Sequence, residues 1–326
     1  MDVPRLLLAT VVCLGFTGPA VLEVAAQSGP PGPVKPWKEA RGFGRVLDLS
    51  NPPVVIDEPG LYALQRDWDL TGYQLGGDVI RITANNVTLD LHGFSIGIRL
   101  DDINSTLLAV GGNQVVVRNG RLEACCEGAA AFGSTGSGTR LEHLDVSGQD
   151  PMRFEGAGAA ITDSVIHARW GINVNEGSVV RGNALSCRTF CLTLQGAMNQ
   201  VIDNRFNYSD ADVVVQVDGD ANVIERNVMD REVFGPGRAY SVAGDRNVVR
   251  DNTITGGGFG TTFAVGGTGN TLDGNIVASS EGALVATVGI GFTADGNYYG
   301  NNRMAAQVPF ALGATVQTDW GGNVGY

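Results

Sequence analysis

One six-residue phrase, returning along the second half of the chain and ending each time in asparagine or its stand-in, limits the fold more than any other feature. It reads Ser178-Val-Val-Arg-Gly-Asn183, Asn199-Gln-Val-Ile-Asp-Asn204, Asn222-Val-Ile-Glu-Arg-Asn227, Asn247-Val-Val-Arg-Asp-Asn252 and Asn270-Thr-Leu-Asp-Gly-Asn275, with Phe292 to Asn297 as a last, weaker copy. Backwards it decays through Ser164, His143, Asn119 and His92. From Asn119 to Asn297 the steps average about 22 residues, a period that belongs to stacked supersecondary units. Each copy carries two short period-two runs: the phrase itself, and a second run at Gly171 to Val174, Cys191 to Leu194, Val213 to Val217, Ala239 to Val242, Thr261 to Val265 and Ala283 to Val288. Glycine numbers 47 in 326 residues and charged residues are 17%, which argues against long charged helices. Short strands joined by Gly, Asn and Asp turns predict an all-β, right-handed parallel β-helix of roughly ten coils with N- and C-terminal caps, its strands about 4.8 Å apart.

The runs Val54 to Leu64 and Asn86 to Ile96, followed by the asparagine phrases, resemble the bacterial right-handed parallel β-helix repeat proteins of the pectin-lyase-like superfamily, over about Val54 to Tyr299. The resemblance implies the fold and leaves function open, because that superfamily holds lyases, glycosidases, epimerases, adhesins and proteins without assigned activity.

Arg5, the apolar run Leu6 to Val21 and Val24-Ala25-Ala26 read as a secretory signal over residues 1–26, so a secreted or periplasmic location is expected. Residues 27–53 read as a flexible leader, 54–300 as the β-helix with its N-terminal cap, and 301–326 as the C-terminal cap. No later segment is apolar for long enough to span a membrane. In an oxidising compartment Cys187 and Cys191 are disulfide candidates, close enough to bond across a turn, while the pairing of Cys125 and Cys126 stays open. Neither spacing suits zinc, and three separated histidines with five methionines do not suit copper, so no metal site is expected. The formal net charge of −12 and the lack of a basic cluster exclude a nucleic-acid partner.

The recurrent asparagines read as a structural ladder, since Asn tolerates left-handed turns and its amide can bond to the next coil. Phe206, Tyr240, Phe263 and Phe292 read as core. If Val174, Leu194, Val217, Val242, Val265 and Val288 point inward, the outward columns are Asn173, Thr193, Gln216, Ser241, Ala264, Thr287 and Asn175, Gln195, Asp218, Ala243, Gly266, Gly289. The middle coils then offer amides, hydroxyls and one carboxylate, a face able to donate to and accept from sugar hydroxyls. Trp170 borders it as an apolar platform.

Chemistry, if present, would fall to Asp218, His167 and Arg169. A lyase needs a base and a cation facing the uronate carboxylate, which His167 and Arg169 could supply. The acidic chain opposes a polyuronate substrate unless Ca²⁺ intervenes, and no other cofactor is implied. A glycosidase needs two carboxyl groups about 5 to 9.5 Å apart, and the Asp218 column offers no such pair; Asp210 and Asp212 read as turn residues. The paired aspartates with Gly-His-Gly of polygalacturonase-like enzymes are missing, Asp101-Asp102 having no such partner. So is the Arg-x-x-Pro-x-x-Arg phrase of pectate-lyase-like enzymes. The expectation is an exported β-helix presenting a polysaccharide-binding or adhesive surface to extracellular or cell-envelope polysaccharide. The alternative is a polysaccharide-active enzyme, either lyase or glycoside hydrolase.

Overall fold

The computed structural model describes residues 44–47, 52–70, 77–99, 105–125, 129–149, 152–208, 212–231, 237–256, 259–278, 286–313 and 315–325. The expected signal, most of the leader, the Asp101-Asp102 pair, Cys126 and Asp210 lie outside them. Among the described residues the chain is all β, a parallel β-solenoid of about ten turns, with no helix long and apolar enough to cross a membrane.

Three strands make each full coil where the sequence suggested two. One coil runs Val179–Arg181, Ala184–Cys187 and Leu192–Gln195. The phrase strands stack in parallel as a first sheet, as in Val180 opposite Val201 and Val201 opposite Ile224. The strands after the phrase stack as a second sheet, as in Leu185 opposite Phe206 and Phe206 opposite Met229. The strands that complete each coil form a twelve-stranded third sheet from Val54–Ile56 to Ala306–Ala311. The middle strand escaped detection because it begins at the residue directly after the phrase's asparagine and its outward positions mix Val165, Ala184, Arg205 and Val228.

Tight corners explain the phrase. Asp203, Arg226 and Asp251 take φ of 57°, 53° and 54°, the left-handed region that turns the chain sharply. The asparagine that follows each one is buried, and its side-chain oxygen accepts from the backbone of the coil before. Thus Asn183 N donates to Asn204 Oδ1 at 3.0 Å, Asn204 N to Asn227 Oδ1 at 2.9 Å and Asn227 N to Asn252 Oδ1 at 3.0 Å. Asn183, Asn204, Asn227, Asn252 and Asn275 stack at one corner as the period predicted, from Ser164 through to Asn302 and Asn323. A second ladder, which the sequence reading did not separate from the first, runs along the opposite end of the phrase through Ser178, Asn199, Asn222, Asn247, Asn270 and Asn297.

Three register assignments are corrected. Asn297 belongs to the second ladder, so the last phrase copy is Asn297 to Asn302, where two tyrosines replace the usual aliphatics. Asn119 and His143 occupy the left-handed position, with φ of 59° and 53°, while the neighbours Gly120 and Leu144 stand at the ladder's place. In the third sheet Val265 pairs with Phe292, not Val288, because the strand Ala286–Phe292 is seven residues long and its register is set four residues later.

Inward residues form one continuous core: Val180, Val201, Ile224, Val249 and Leu272 from the first sheet, with Leu185, Phe206, Met229, Ile254 and Val277 from the second. Phe206, Tyr240, Phe263 and Phe292 are buried in it, and Tyr240 stacks on Phe263 at 5.1 Å between centroids. Cys187 and Cys191 are disulfide-bonded, with Cα atoms 5.2 Å apart.

Candidate functional site

The outward face of the third sheet is built by parallel register. Arg153 pairs with Asn173, Asn173 with Thr193, Thr193 with Gln216, Gln216 with Ser241, and Ser241 with Ala264. Every inward neighbour on these strands is apolar and buried, so the alternation turns this column to solvent. One polar side chain per coil therefore recurs at a step of about 4.8 Å. Gln195 pairs with Asp218 in the adjoining column. Arg153, one coil before Asn173, extends the face; its position follows once the column is traced back past the phrases that decay.

The side chains are differently committed. Gln216 Nε2 donates to Asp218 Oδ2 at 2.6 Å, so these two act as one unit. Asn175 spends both ends of its amide locally, Nδ2 donating to Glu155 O and Oδ1 accepting from Glu176 N, each at 2.9 Å. It is better placed to hold the turn than to meet a ligand.

Trp170 is 39% exposed at the corner between the second and third sheets, outside the core. Its ring stacks on Phe190 of the next coil, with centroids 6.1 Å apart and planes 20° apart, and Arg169 Cζ lies 5.8 Å from the ring centroid. Trp170, Asn173, Thr193 and Gln216 thus share one region of surface. His167 does not join them: it stands on the second sheet, between Ser147 and Ser186 of the neighbouring coils. Asp218 lies on the third sheet two coils further along, about 10 Å away along the axis alone. The structure therefore does not bring His167 and Asp218 together.

Another carboxylate pair was missed. On the second sheet Arg121 Nε sits 2.9 Å from Glu123 Oε1 and 3.3 Å from Asp145 Oδ2. Arg121 pairs in register with Asp145, and Glu123 with Ser147, which in turn faces His167. The signal lay in the coil register of the degraded early repeats, where the phrase is hardest to align.

Along the corner of the first and second sheets lies a groove of about 340 Å³ lined by Gly182, Ala184, Asp203, Arg205, Arg226 and Val228. Its charges are already paired: Arg226 Nε meets Asp203 at 2.8 Å, and Arg226 also bonds Glu225. Arg250 Nε donates to Glu225 Oε2 at 2.6 Å. Burial pushes the Glu225 carboxyl up, but the hydrogen bonds from Arg250 and Arg226 outweigh it and hold it below the ordinary value. This network ties adjacent coils together, and the groove is remote from the third-sheet face. Among the described residues no three His, Cys, Asp or Glu side chains gather as a metal site.

No family model matches the sequence, and no curated protein matches it at a significant level. Among solved structures the chain is similar to the Dettilon tailspike protein, at a TM-score of 0.53 and 14% identity over 82% of this chain and 60% of that one. A looser overlap, at a TM-score of 0.29 and 15% identity, joins 83% of this chain to 57% of an alginate lyase solved with G6. The chain thus spans less than two thirds of either protein, and what the tailspike likeness shows is the β-helix fold.

Proposed function

We propose that the protein is an exported β-helix that binds an extended polysaccharide across the outward face of its third sheet. The observation that carries this reading is the column Asn173, Thr193, Gln216 and Ser241, one polar side chain per coil, ending beside the exposed Trp170. Amides and hydroxyls both donate and accept, as a polyhydroxylated chain requires, and an indole offers the apolar face of a sugar ring a flat partner. The regular step suits a polymer more than a small compact ligand. Without residues 1–26 the chain carries 32 acidic against 21 basic residues, a net −11, which favours a neutral polymer over a polyuronate. The signal-like residues 1–26 support a secreted or periplasmic setting. The test is a binding screen of the purified protein against neutral and acidic polysaccharides, with reducing-sugar release and unsaturated-product absorbance read in parallel. Binding without product supports the reading; no binding to any polymer defeats it.

A second reading, a polysaccharide-active enzyme, is favoured by the Glu123 and Asp145 carboxylates gathered on Arg121 beside Ser147. Two carboxyl groups this close would suit a double-displacement hydrolysis more than direct attack by an interposed water. On this reading Asp145→Asn or Glu123→Gln abolishes reducing-sugar release. The other candidates, Asp218, His167 and Arg169, are tested the same way with Asp218→Asn and His167→Ala.

A further inference from the structure

The corner that carries Trp170 is built from two loops lying on one another. Arg169, Trp170 and Gly171 form the lower loop; Arg188, Thr189 and Phe190, closed by the Cys187–Cys191 bridge, form the upper one. Thr189 N donates to Arg169 O at 2.8 Å and Ile172 N to Cys191 O at 3.0 Å, so the loops are joined backbone to backbone. At Gly171, with φ of 64°, a Cβ would come within 2.3 Å of Cys191 O and 2.5 Å of Phe190 O, so the approach admits no side chain. Both bridged cysteines are buried, and in register the places of Cys187 in the neighbouring coils are taken by Ala168 and Tyr208. The bridge thus belongs to the coil that supplies Phe190.

From this arrangement we infer that Phe190 is the second ring of the ligand platform and that the Cys187–Cys191 bridge is the positioning element that holds it there. The inference rests on the polysaccharide-binding reading above. At a centroid separation of 6.1 Å and an angle of 20°, the Trp170 and Phe190 rings are offset, leaving part of each uncovered. They form a ledge two coils deep, which gives successive rings of an extended sugar chain an apolar surface each. Phe190 is half-buried, and Trp170 is its only ring neighbour among the described residues. The three-residue loop that carries it is fixed at both ends by the sulfur bridge. When a dithiol reductant cleaves the S–S bond, two electrons and two protons pass to the cysteines, two thiols form and the reagent closes to its own disulfide. The loop is then free to relax, and the ledge shortens to one ring.

The test compares polysaccharide affinity in the parent, Phe190→Ala, Phe190→Tyr, the bridge-free pair Cys187→Ala with Cys191→Ala, and all three alanines together. The probe is whichever polymer of a dextran, galactomannan and polygalacturonate panel the parent binds. Phe190→Ala and the bridge-free protein are each expected to bind about tenfold more weakly, Phe190→Tyr to bind as the parent does, and the triple variant no more weakly than Phe190→Ala alone. That last equality is what a bridge acting through Phe190 requires. If the parent binds and Phe190→Ala binds equally well, the ledge is wrong and the wider reading stands. Additive losses in the triple variant would show a bridge acting elsewhere, which overturns the positioning role. A parent that binds none of the polymers overturns both.

Discussion

Asn227 Oδ1 lies 2.9 Å from the backbone nitrogen of Asn204 and 3.0 Å from its Nδ2, while Asn227 Nδ2 donates to Val201 O at 2.9 Å. One buried amide therefore satisfies three groups of the preceding coil, at the corner where a left-handed residue has broken the strand ladder. Asn227→Ala leaves the backbone N–H of Asn204 without a partner in a dry corner and takes one hydrogen bond each from Asn204 Nδ2 and Val201 O, which keep other partners. At about 1 to 3 kcal/mol for an orphaned buried group, a loss of about 2 kcal/mol is expected. Asn227→Asp is expected to cost at least as much, since it puts a carboxylate oxygen where a donor faced Val201 O. Chemical denaturation checks both, with exposed Gln200→Ala as the control expected to leave the midpoint unchanged.

Ala221 holds φ at 54° on the exposed corner before Asn222. A Cβ there costs about 1 to 2 kcal/mol, and glycine gives back part of that gain through the looser unfolded chain. Ala221→Gly is expected to stabilise by about 0.5 to 1 kcal/mol and Ala221→Val to destabilise. Thermal midpoints moving in opposite directions confirm the strain; both moving down would deny it.

Tyr240 is fully buried against Phe263, and among the described residues its hydroxyl has no hydrogen-bond partner. Burial, with Tyr208 beside it, pushes the phenol well above its usual pKa. Removing a buried, unpaired hydroxyl without altering the ring should raise stability by about 1 kcal/mol. Tyr240→Phe in a denaturant titration measures it.

Glu225 gives the fold a pH dependence of definite sign. Its folded pKa is lowered from 4.5, burial being outweighed by Arg250 and Arg226. A lowered carboxylate contributes stability that is fully present above the unfolded pKa and disappears as pH falls through the folded one. The parent should therefore lose stability below about pH 4.5 more steeply than Glu225→Gln, the two curves converging in acid. Parallel curves would show that Glu225 is not responsible.

How much of this was legible depended on how well each coil kept the phrase. Val180, Val201, Ile224, Val249 and Leu272 sit in register because every copy spaces its aliphatics and asparagine alike. The Asn173, Thr193 and Gln216 column followed from period two. What was hidden has physical causes. A six-residue phrase bounded by two corners looks like one corner in sequence, so two ladders merged into one. The middle strand begins at the residue directly after the corner asparagine, so no gap in the sequence sets it apart from the phrase. Glu123 and Asp145 meet only through the register of Arg121 with Asp145, in strands Val116–Cys125 and Arg140–Gly148 that run straight through the second corner. There Gly120 and Leu144 replace the asparagine, and the repeat loses its marker.

The most direct test of the central claim is the affinity of one polysaccharide for the parent and for a variant stripped of the column, Asn173→Ala with Thr193→Ala and Gln216→Ala. These outward side chains cover no core, so the thermal midpoint should hold while binding weakens by at least about tenfold. Unchanged affinity in the stripped variant, at an unchanged midpoint, would contradict the third-sheet face as the binding surface.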